Sequence, residues 1–450
     1  MSVERKNWLT KAGLIFVLVL GFASTASAMD PDFARFVGEK SRQIREFEKS
    51  GGDKVPSIVW SYFDALRVDD WQTATNLAER IDLMGRMLGT NTISPALQGP
   101  IWQPIGETIG TYDQFHDMDN RWLHRFGSNI ISSIPKGSVY FGGTDAGRYV
   151  VSAMCESQTE GVPFFTLTQN QLVDGRYAQY IRLIYGGKLA LPSEEDVTTT
   201  FREYLEDASA RKKAGRLKPG EEVQTTRDGH AQVSGRVAVM TLNGMLVKCI
   251  FDKNPTREFY VEESFSFDWM YPQLEPHGLI MRLNREPLKR LSEAVVRKDT
   301  DFWKRQTADA LGDWLDDGTS IRDICSFCNK VYLHKDFAGF KGDTGFTKSS
   351  ETQKNFSKLR NAIAGLYAWH AEHDESPDDK LRMRKAADFA YRQALALCPY
   401  LQDTVFDYTQ FLATSKRMDD AVLVAETAAR IEPDATDYAE LLKELHKANE

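Results

Sequence analysis

Apolar positions recur with helical spacing through the first third of the chain. Phe33, Phe36, Val37, Ile44 and Phe47 share one face, and so do Trp71, Ala74, Leu77, Ala78, Ile81 and Leu88. Asp69 and Asp70 precede the second set, as cap and dipole partners of a helix N-terminus. Pro95, Pro100 and Pro104 interrupt the pattern. Trp122, Leu123, Phe126, Ile130, Ile131 and Ile134 then predict a helix that stops at Pro135.

At Pro135-Lys136-Gly137 the pattern changes. Ser138 to Phe141 is a short β-type run, Gly142 and Gly143 form a tight loop, and Thr144 and Asp145 can cap a helix through Glu156. Gly161-Val162-Pro163 leads into a second β-run, Phe164 to Thr168. Strand, loop, helix, strand is a βαβ unit and implies parallel pairing. A helix follows with Leu172, Tyr177, Tyr180, Ile181 and Ile184 toward a core, and Leu189 to Leu191 reads as a third short strand. Pro192 and Ser193 open a polar helix to about Gly215. Asp228-Gly229 suggests a hairpin turn, Arg236 to Ile250 a helix, and Glu258 to Val261 and Gly278 to Leu283 two more strands.

The C-terminal region repeats itself. Ala387, Ala394 and Pro399 recur as Ala421, Ala428 and Pro433, 34 residues later, and Leu397 recurs as Ile431. Small residues where two helices cross, with a proline after the second, at this period are the signature of a tetratricopeptide repeat. Helices are expected over 356–373, 379–398, 403–415 and 418–431, with an insertion at Asp374 to Asp379. Fewer than three full repeats rarely stand alone, so this end is expected to pack on the preceding segment. The predicted fold is therefore mixed α/β and α. Its parts are a helical region over 29–135, an α/β domain with the βαβ unit over 136–290, a helical connector over 291–350, and tetratricopeptide-like hairpins over 351–450.

Composition adds an address. Arg5, Lys6 and Lys11 precede an apolar run from Ala12 to Ala23, and Ala26-Ser27-Ala28 offers small residues to a signal peptidase. The run is short for a spanning helix, which needs roughly 20 apolar residues. Residues 1–28 are read as a signal peptide, cleaved after Ala28, and the mature chain is expected in a periplasm or outside the cell, with no transmembrane segment. Cleavage takes the formal charge from −8 to −10. A mildly acidic surface disfavours nonspecific nucleic-acid binding, so nucleic acid is not expected as a partner.

Candidate chemistry is sparse. Five cysteines, Cys155, Cys249, Cys325, Cys328 and Cys398, are too few for a disulfide scaffold. Cys325-Ser-Phe-Cys328 is a C-x-x-C on an amphipathic helix with Ile321, Ile324, Val331 and Tyr332. It reads as a redox pair or a local disulfide, or as two small buried hydrophobes. His116 and His124 lack a third ligand for a metal, and no metal or other cofactor is expected. The basic stretch Arg211 to Lys213, with Arg216 and Lys218, suits a helix C-terminus. Phe265, Phe267, Trp269 and Tyr271 would be a carbohydrate platform if exposed and core if buried.

The most suggestive feature is YFGGTDAGRY, Tyr140 to Tyr149. A glycine-rich turn that leaves a strand and opens a helix gathers N–H groups at the positive end of a helix, where an anion binds. The spacing Gly142-x4-Gly147-Arg148 approaches a phosphate loop. It departs where the chemistry lies, with Arg148 for the lysine and Tyr149 for the Ser/Thr that holds magnesium. Asp145 would orient a sugar hydroxyl or simply cap the helix. The candidate ligand-binding set is Gly143, Thr144, Asp145, Arg148 and Asn170, and no catalytic residue is assigned.

IPKGSVYFGGTDAGRYV, FFTLTQNQLVDGRYAQYIRLIYG and REFYVEESFSFDWMYPQLEPHGLIMRLN resemble the soluble portion of transmembrane protein O-mannosyltransferase-like glycosyltransferases, where it precedes tetratricopeptide repeats. The resemblance covers roughly residues 130–450. In layout the chain is most similar to exported bacterial proteins of the same kind. In that glycosyltransferase family the catalytic acid and lipid-linked sugar site lie in a multi-helix membrane part that this sequence lacks, so the resemblance carries over no catalytic residue. The expectation is an exported, non-enzymatic interaction protein that binds a protein partner through its C-terminal repeats. The alternative is a glycan-binding or glycosylation-associated protein that uses the Gly142–Arg148 loop.

Overall fold

The computed structural model describes residues 29–50, 54–86, 97, 99–218, 220–225, 231–262 and 267–449. The signal peptide over 1–28, the Asp228-Gly229 turn, Leu88, Pro95 and Phe265 lie outside them. Among the described residues there are seventeen α-helices and seven strands. They fall into two compact units, Met1–Thr108 with Thr168–Pro255, and Ile109–Leu167 with Thr256–Glu450. Each unit is assembled from two separate stretches of chain, so neither coincides with one linear segment of the sequence. No helix among the described residues is long and apolar enough to cross a membrane.

The first unit is largely helical. Asp30 caps the helix Pro31–Lys49, accepting from the amides of Asp32 and Phe33. The predicted face of Phe33, Phe36, Val37, Ile44 and Phe47 is buried. Helix Ser57–Arg67 follows, and helix Trp71–Arg86 starts after Asp70, whose carboxylate accepts from the Thr73 amide at 3.1 Å. Helices Gly175–Tyr185, Glu194–Lys213 and Arg236–Lys253 complete the helical part. The expected third strand at 189–191 is not one: these residues are irregular and follow a 3₁₀ turn at Gly186–Lys188. Consecutive glycines at 186 and 187, the first with φ near +52°, favour a tight turn over an extended run.

Two strands, Glu222–Thr225 and Ala231–Ser234, pair antiparallel. Tyr204, Ala208, Val223, Ala238 and Leu242 form the core beneath them. Lys40 is fully buried in this unit, paired with Glu107 and donating to the Tyr180 hydroxyl at 2.6 Å. Tyr180 in turn donates to Glu107 and Gln43. A charge without partners would be expelled from such a site, so the four side chains hold one another in place.

The second unit contains a five-stranded sheet. Its strands are β1 (Val139–Gly142), β2 (Phe165–Thr168), β5 (Phe259–Val261), β6 (Leu274–His277) and β7 (Ile280–Leu283), where β3 and β4 are the hairpin strands of the first unit. The order across the sheet is β2-β1-β5-β7-β6. β1 runs parallel to β5 with Tyr140 opposite Tyr260, while β7 is antiparallel to both β5 and β6. The helix Asp145–Met154 joins β1 to β2, which supplies the expected strand–helix–strand sequence. Helix Asn120–Ser133 packs against it at Gly127, where a Cβ would come within 2.2 Å of Met154 Sδ.

The C-terminal part of this unit is helical. Helix Glu293–Leu311 is followed by Ile321–Cys328, which continues as a π-turn over Asn329–Leu333, then by the short helix Thr344–Lys348. Ser350–His373 and Pro377–Leu397 pack along each other, and Gln402–Thr414, Met418–Ile431 and Thr436–Asn449 follow. Ala387, Ala394, Ala421 and Ala428 are completely buried. The helices ending at Leu397 and Ile431 both stop two residues before a proline, Pro399 and Pro433. A buried ion pair ties these helices inward. Arg360 donates to Asp299 at 2.7 Å and to Gln393 at 2.9 Å, Tyr367 donates to Asp299, and the guanidinium lies over Trp303.

Candidate functional site

The glycine-rich loop lies where the parallel strands β1 and β5 end, the edge at which open α/β sheets place ligands. Gly143 and Thr144 follow β1 directly. Thr144 is the N-cap of helix Asp145–Met154, its Oγ1 accepting from the Gly147 amide at 2.9 Å. Asp145 is the first helical residue. It is largely exposed and bonds to Arg148 at 2.7 Å. The cap role therefore belongs to Thr144. Arg148 also lies over the ring of Tyr149.

The loop does hold a carboxyl group, and the chain supplies it. Glu262 immediately follows β5 and is almost fully buried. Its Oε2 accepts from the amides of Gly143 at 2.7 Å and Thr144 at 2.8 Å, and its Oε1 accepts a hydrogen bond from Thr144 Oγ1. Burial pushes the Glu262 carboxyl above its ordinary range, against the opposing pull of the Thr144 and Gly143 hydrogen bonds and the charge of Lys358. The Glu262 amide donates to Phe141 O, which fixes the carboxylate relative to β1. A Cβ at Gly147 would lie 2.0 Å from the Glu262 carboxyl carbon, and one at Gly142 would lie 3.0 Å from Arg148 Cα. These two glycines leave the room that Glu262 and the helix start require.

The three donors nearest the helix start are thus satisfied internally. The carboxylate occupies the position an external phosphate or sugar oxygen would take. Of the sequence candidates, Gly143, Thr144, Asp145 and Arg148 come together here. Asn170 belongs to the first unit, where its carbonyl accepts from Asn243 Nδ2 at 3.2 Å. Glu262 escaped the candidate set because its partner loop lies 118 positions earlier in sequence. The signal available was an acidic residue at the end of the apolar run of REFYVEE.

An acidic surface flanks the loop. Asp113 is exposed on the surface, yet partial desolvation by its surroundings, then Asp117 and Asp145 nearby, push it up to about 6. Burial also raises Asp117, opposed by His116. His116 stacks on Tyr112 and His124 meets Phe115 edge-on. Among the described residues no group of His, Cys, Asp and Glu is arranged to hold a metal ion.

The remaining sequence motifs are accounted for by packing. Cys325 and Cys328 are free thiols on the buried side of their helix, as are Ile321, Ile324, Val331 and Tyr332. Burial raises both thiols, well above the ordinary value for Cys328, which makes them poor nucleophiles. Arg211 pairs with Asp207 and Glu221, and Lys212 donates to Val223 O. Phe267, Trp269 and Tyr271 are half-buried. No family model, curated protein or solved structure matches the chain.

Proposed function

We propose that the protein is an exported interaction protein that docks a partner protein on its C-terminal helices, which act as tetratricopeptide-like repeats. The observation that carries this reading is the coincidence of sequence period with packing. The alanines that recur at 34 residues are all fully buried, and both recurring prolines stand two residues beyond a helix end. Repeated helical hairpins of this kind present extended surfaces for other proteins.

Two further features support it. Helix Ile321–Cys328 and its π-turn cover the helices Pro377–Leu397 and Met418–Ile431, with Tyr332 donating to the carbonyls of Ala396 and Leu397. Helices Gln402–Thr414 and Thr436–Asn449 meanwhile expose Asp403, Gln410, Thr414, Glu440 and Lys443. Commitment of the loop donors to Glu262 also favours docking over chemistry at Gly143–Arg148.

The test is site-specific photo-crosslinking in cells of the source organism, with a photoreactive residue at Gln410, Thr414 or Lys443 and a control at exposed Arg202. The expected result is one defined protein adduct from the three helix positions and none from Arg202. The same set of adducts from all four positions, or none at all, would remove the reading.

A further inference from the structure

Packing uses only part of the basic end of helix Glu194–Lys213. Arg211 pairs with Asp207 and Glu221, and Lys212 donates to Val223 O at 2.6 Å. Lys213, Arg216 and Lys218 are exposed, and no carboxylate among the described residues pairs with them. Termination of the helix does not need these three side chains either. The carbonyls of Ala210, Arg211 and Lys212 accept from the amides of Ala214, Arg216 and Gly215 at 3.1, 2.9 and 3.1 Å. The last turn is therefore closed by the main chain. Arg216 and Lys218 lie beyond the helix, where its dipole has faded.

The turn that carries these charges is pinned from below. Buried Glu221 accepts from the Tyr204 hydroxyl at 2.5 Å, from Arg211, and from the Lys218 amide at 3.1 Å. Its own amide donates to the Lys218 carbonyl at 3.0 Å. Leu217 packs on the core that contains Tyr204, Ala208 and Val223. Gly215, with φ near +66°, makes the reversal, and a Cβ there would meet nothing within 4 Å, so the turn projects into solvent. Between Asp207 and Glu221 the chain carries no acidic residue, and five of the eight residues 211–218 are Lys or Arg. Glu221, the next acid along the chain, is turned inward and committed to Arg211, so it leaves the outer charges unopposed.

A projecting turn of this kind encloses no ligand. It also gives a protein partner little to bury, since only Ala214 and Gly215 separate Lys213 from Arg216 and no aromatic residue stands among the cations. Stable protein interfaces bury roughly 800 Å² per partner around a packed, desolvated centre. A plane of densely spaced negative charge, by contrast, attracts each exposed cation without enclosing any of them. We propose that the turn 213–218 docks the protein on an anionic lipid surface, with Lys213, Arg216 and Lys218 as its contacts. The chain as a whole carries a formal net charge of −8, so the attraction is local and turns this tip toward the surface. Such docking is independent of the C-terminal helices, which belong to the other unit.

The mature chain is sedimented at low ionic strength with vesicles of phosphatidylcholine alone, or of phosphatidylcholine mixed with phosphatidylglycerol. Binding is expected with the anionic vesicles only, and it should fall as salt is added. Lys213→Gln, Arg216→Gln and Lys218→Gln are each expected to weaken it about fivefold, and the triple variant about a hundredfold. A charge-matched control combines Lys341→Gln, Lys348→Gln and Lys443→Gln, three exposed lysines of the other unit, and should bind as wild type does. Arg216→Lys should also bind as wild type does, because a charged plane reads charge and not the fork of a guanidinium. All the substituted side chains are exposed, and circular dichroism establishes that each variant is folded. Equal binding to both kinds of vesicle, no binding to the anionic ones, or the same loss in the control triple variant overturns the proposal. So does a loss in Arg216→Lys, which would mark a bidentate site. A polyglutamate peptide bound more tightly than the vesicles, and released by the triple variant at 213, 216 and 218, would overturn it in favour of an acidic protein partner.

Discussion

At the scale of single residues, the decisive arrangement is Glu262 in the loop at Gly143 and Thr144. Three hydrogen bonds and a helix start compensate a carboxylate that would otherwise be poorly placed in an apolar interior. Replacing Glu262 by Gln turns an amide NH₂ toward donors and should destabilise the fold by about 1–3 kcal/mol, read from urea unfolding. Gly147→Ala should be at least as damaging, because its Cβ meets the same carboxylate. Asp145→Asn should leave stability almost unchanged, since Thr144 is the cap and the Asp145–Arg148 pair is on the surface. Thr144→Val should lose about 0.5–2 kcal/mol. If Asp145→Asn and Thr144→Val melt together, the assignment of the cap is wrong.

Asp113 gives a pH-dependent expectation. Its carboxyl is raised to about 6 in the folded chain, above the roughly 3.9 of an unfolded one, so the folded state binds more protons between those values. Its contribution is most favourable below about pH 4 and is lost as pH rises through 6. The side chain is largely exposed, so the effect is small. Asp113→Asn should melt above wild type at pH 7, and that advantage should vanish near pH 4. A variant that gained equally at both pH values would place the cause elsewhere.

At the scale of elements, the C-terminal helices depend on their alanines. Ala394 and Ala428 are completely buried, so a larger side chain has nowhere to go. Ala428→Leu should cost about 1–3 kcal/mol of stability in thermal or urea unfolding, and an unchanged melting curve would count against a tight crossing there. These elements were legible because periodicity, small residues and prolines are local signals. The same holds for the helix bearing Cys325 and Cys328, whose predicted apolar side is the buried one. The strand expected at 189–191 failed because a run of three residues is too short for its pattern to distinguish a strand from irregular chain, and no strand among the described residues pairs with it. β6 was missed because Leu274–His277 contains a proline and a charged residue, and only pairing with β7 makes it a strand.

At the scale of the whole molecule, the proposed export has a direct check. N-terminal sequencing of the protein recovered from its native compartment should start at Met29, and an intact Met1 would refute cleavage at Ala28. The loop chemistry bears on activity in the same way. With Arg148 and Tyr149 where a phosphate loop has Lys and Ser/Thr, and with Glu262 in the cradle, purified protein should show no magnesium-dependent ATP hydrolysis. Turnover abolished by Arg148→Ala would contradict that.

The sequence by itself determined the helical spacing, the strand–helix–strand order around Gly142–Thr144, the 34-residue recurrence, and a loop competent to bind an anion. Each follows from neighbours within a few residues or from a fixed period, where backbone sterics and burial of one face act locally. Only the tertiary structure decided which group fills the loop. The answer comes from β5 lying parallel to β1, a pairing across more than a hundred positions that brings Glu262 to Gly143 and Thr144. Nor could the sequence divide the chain into units assembled from separated stretches. Such groupings are set by how elements pack, and the energy that selects them resides in contacts between residues remote in the chain.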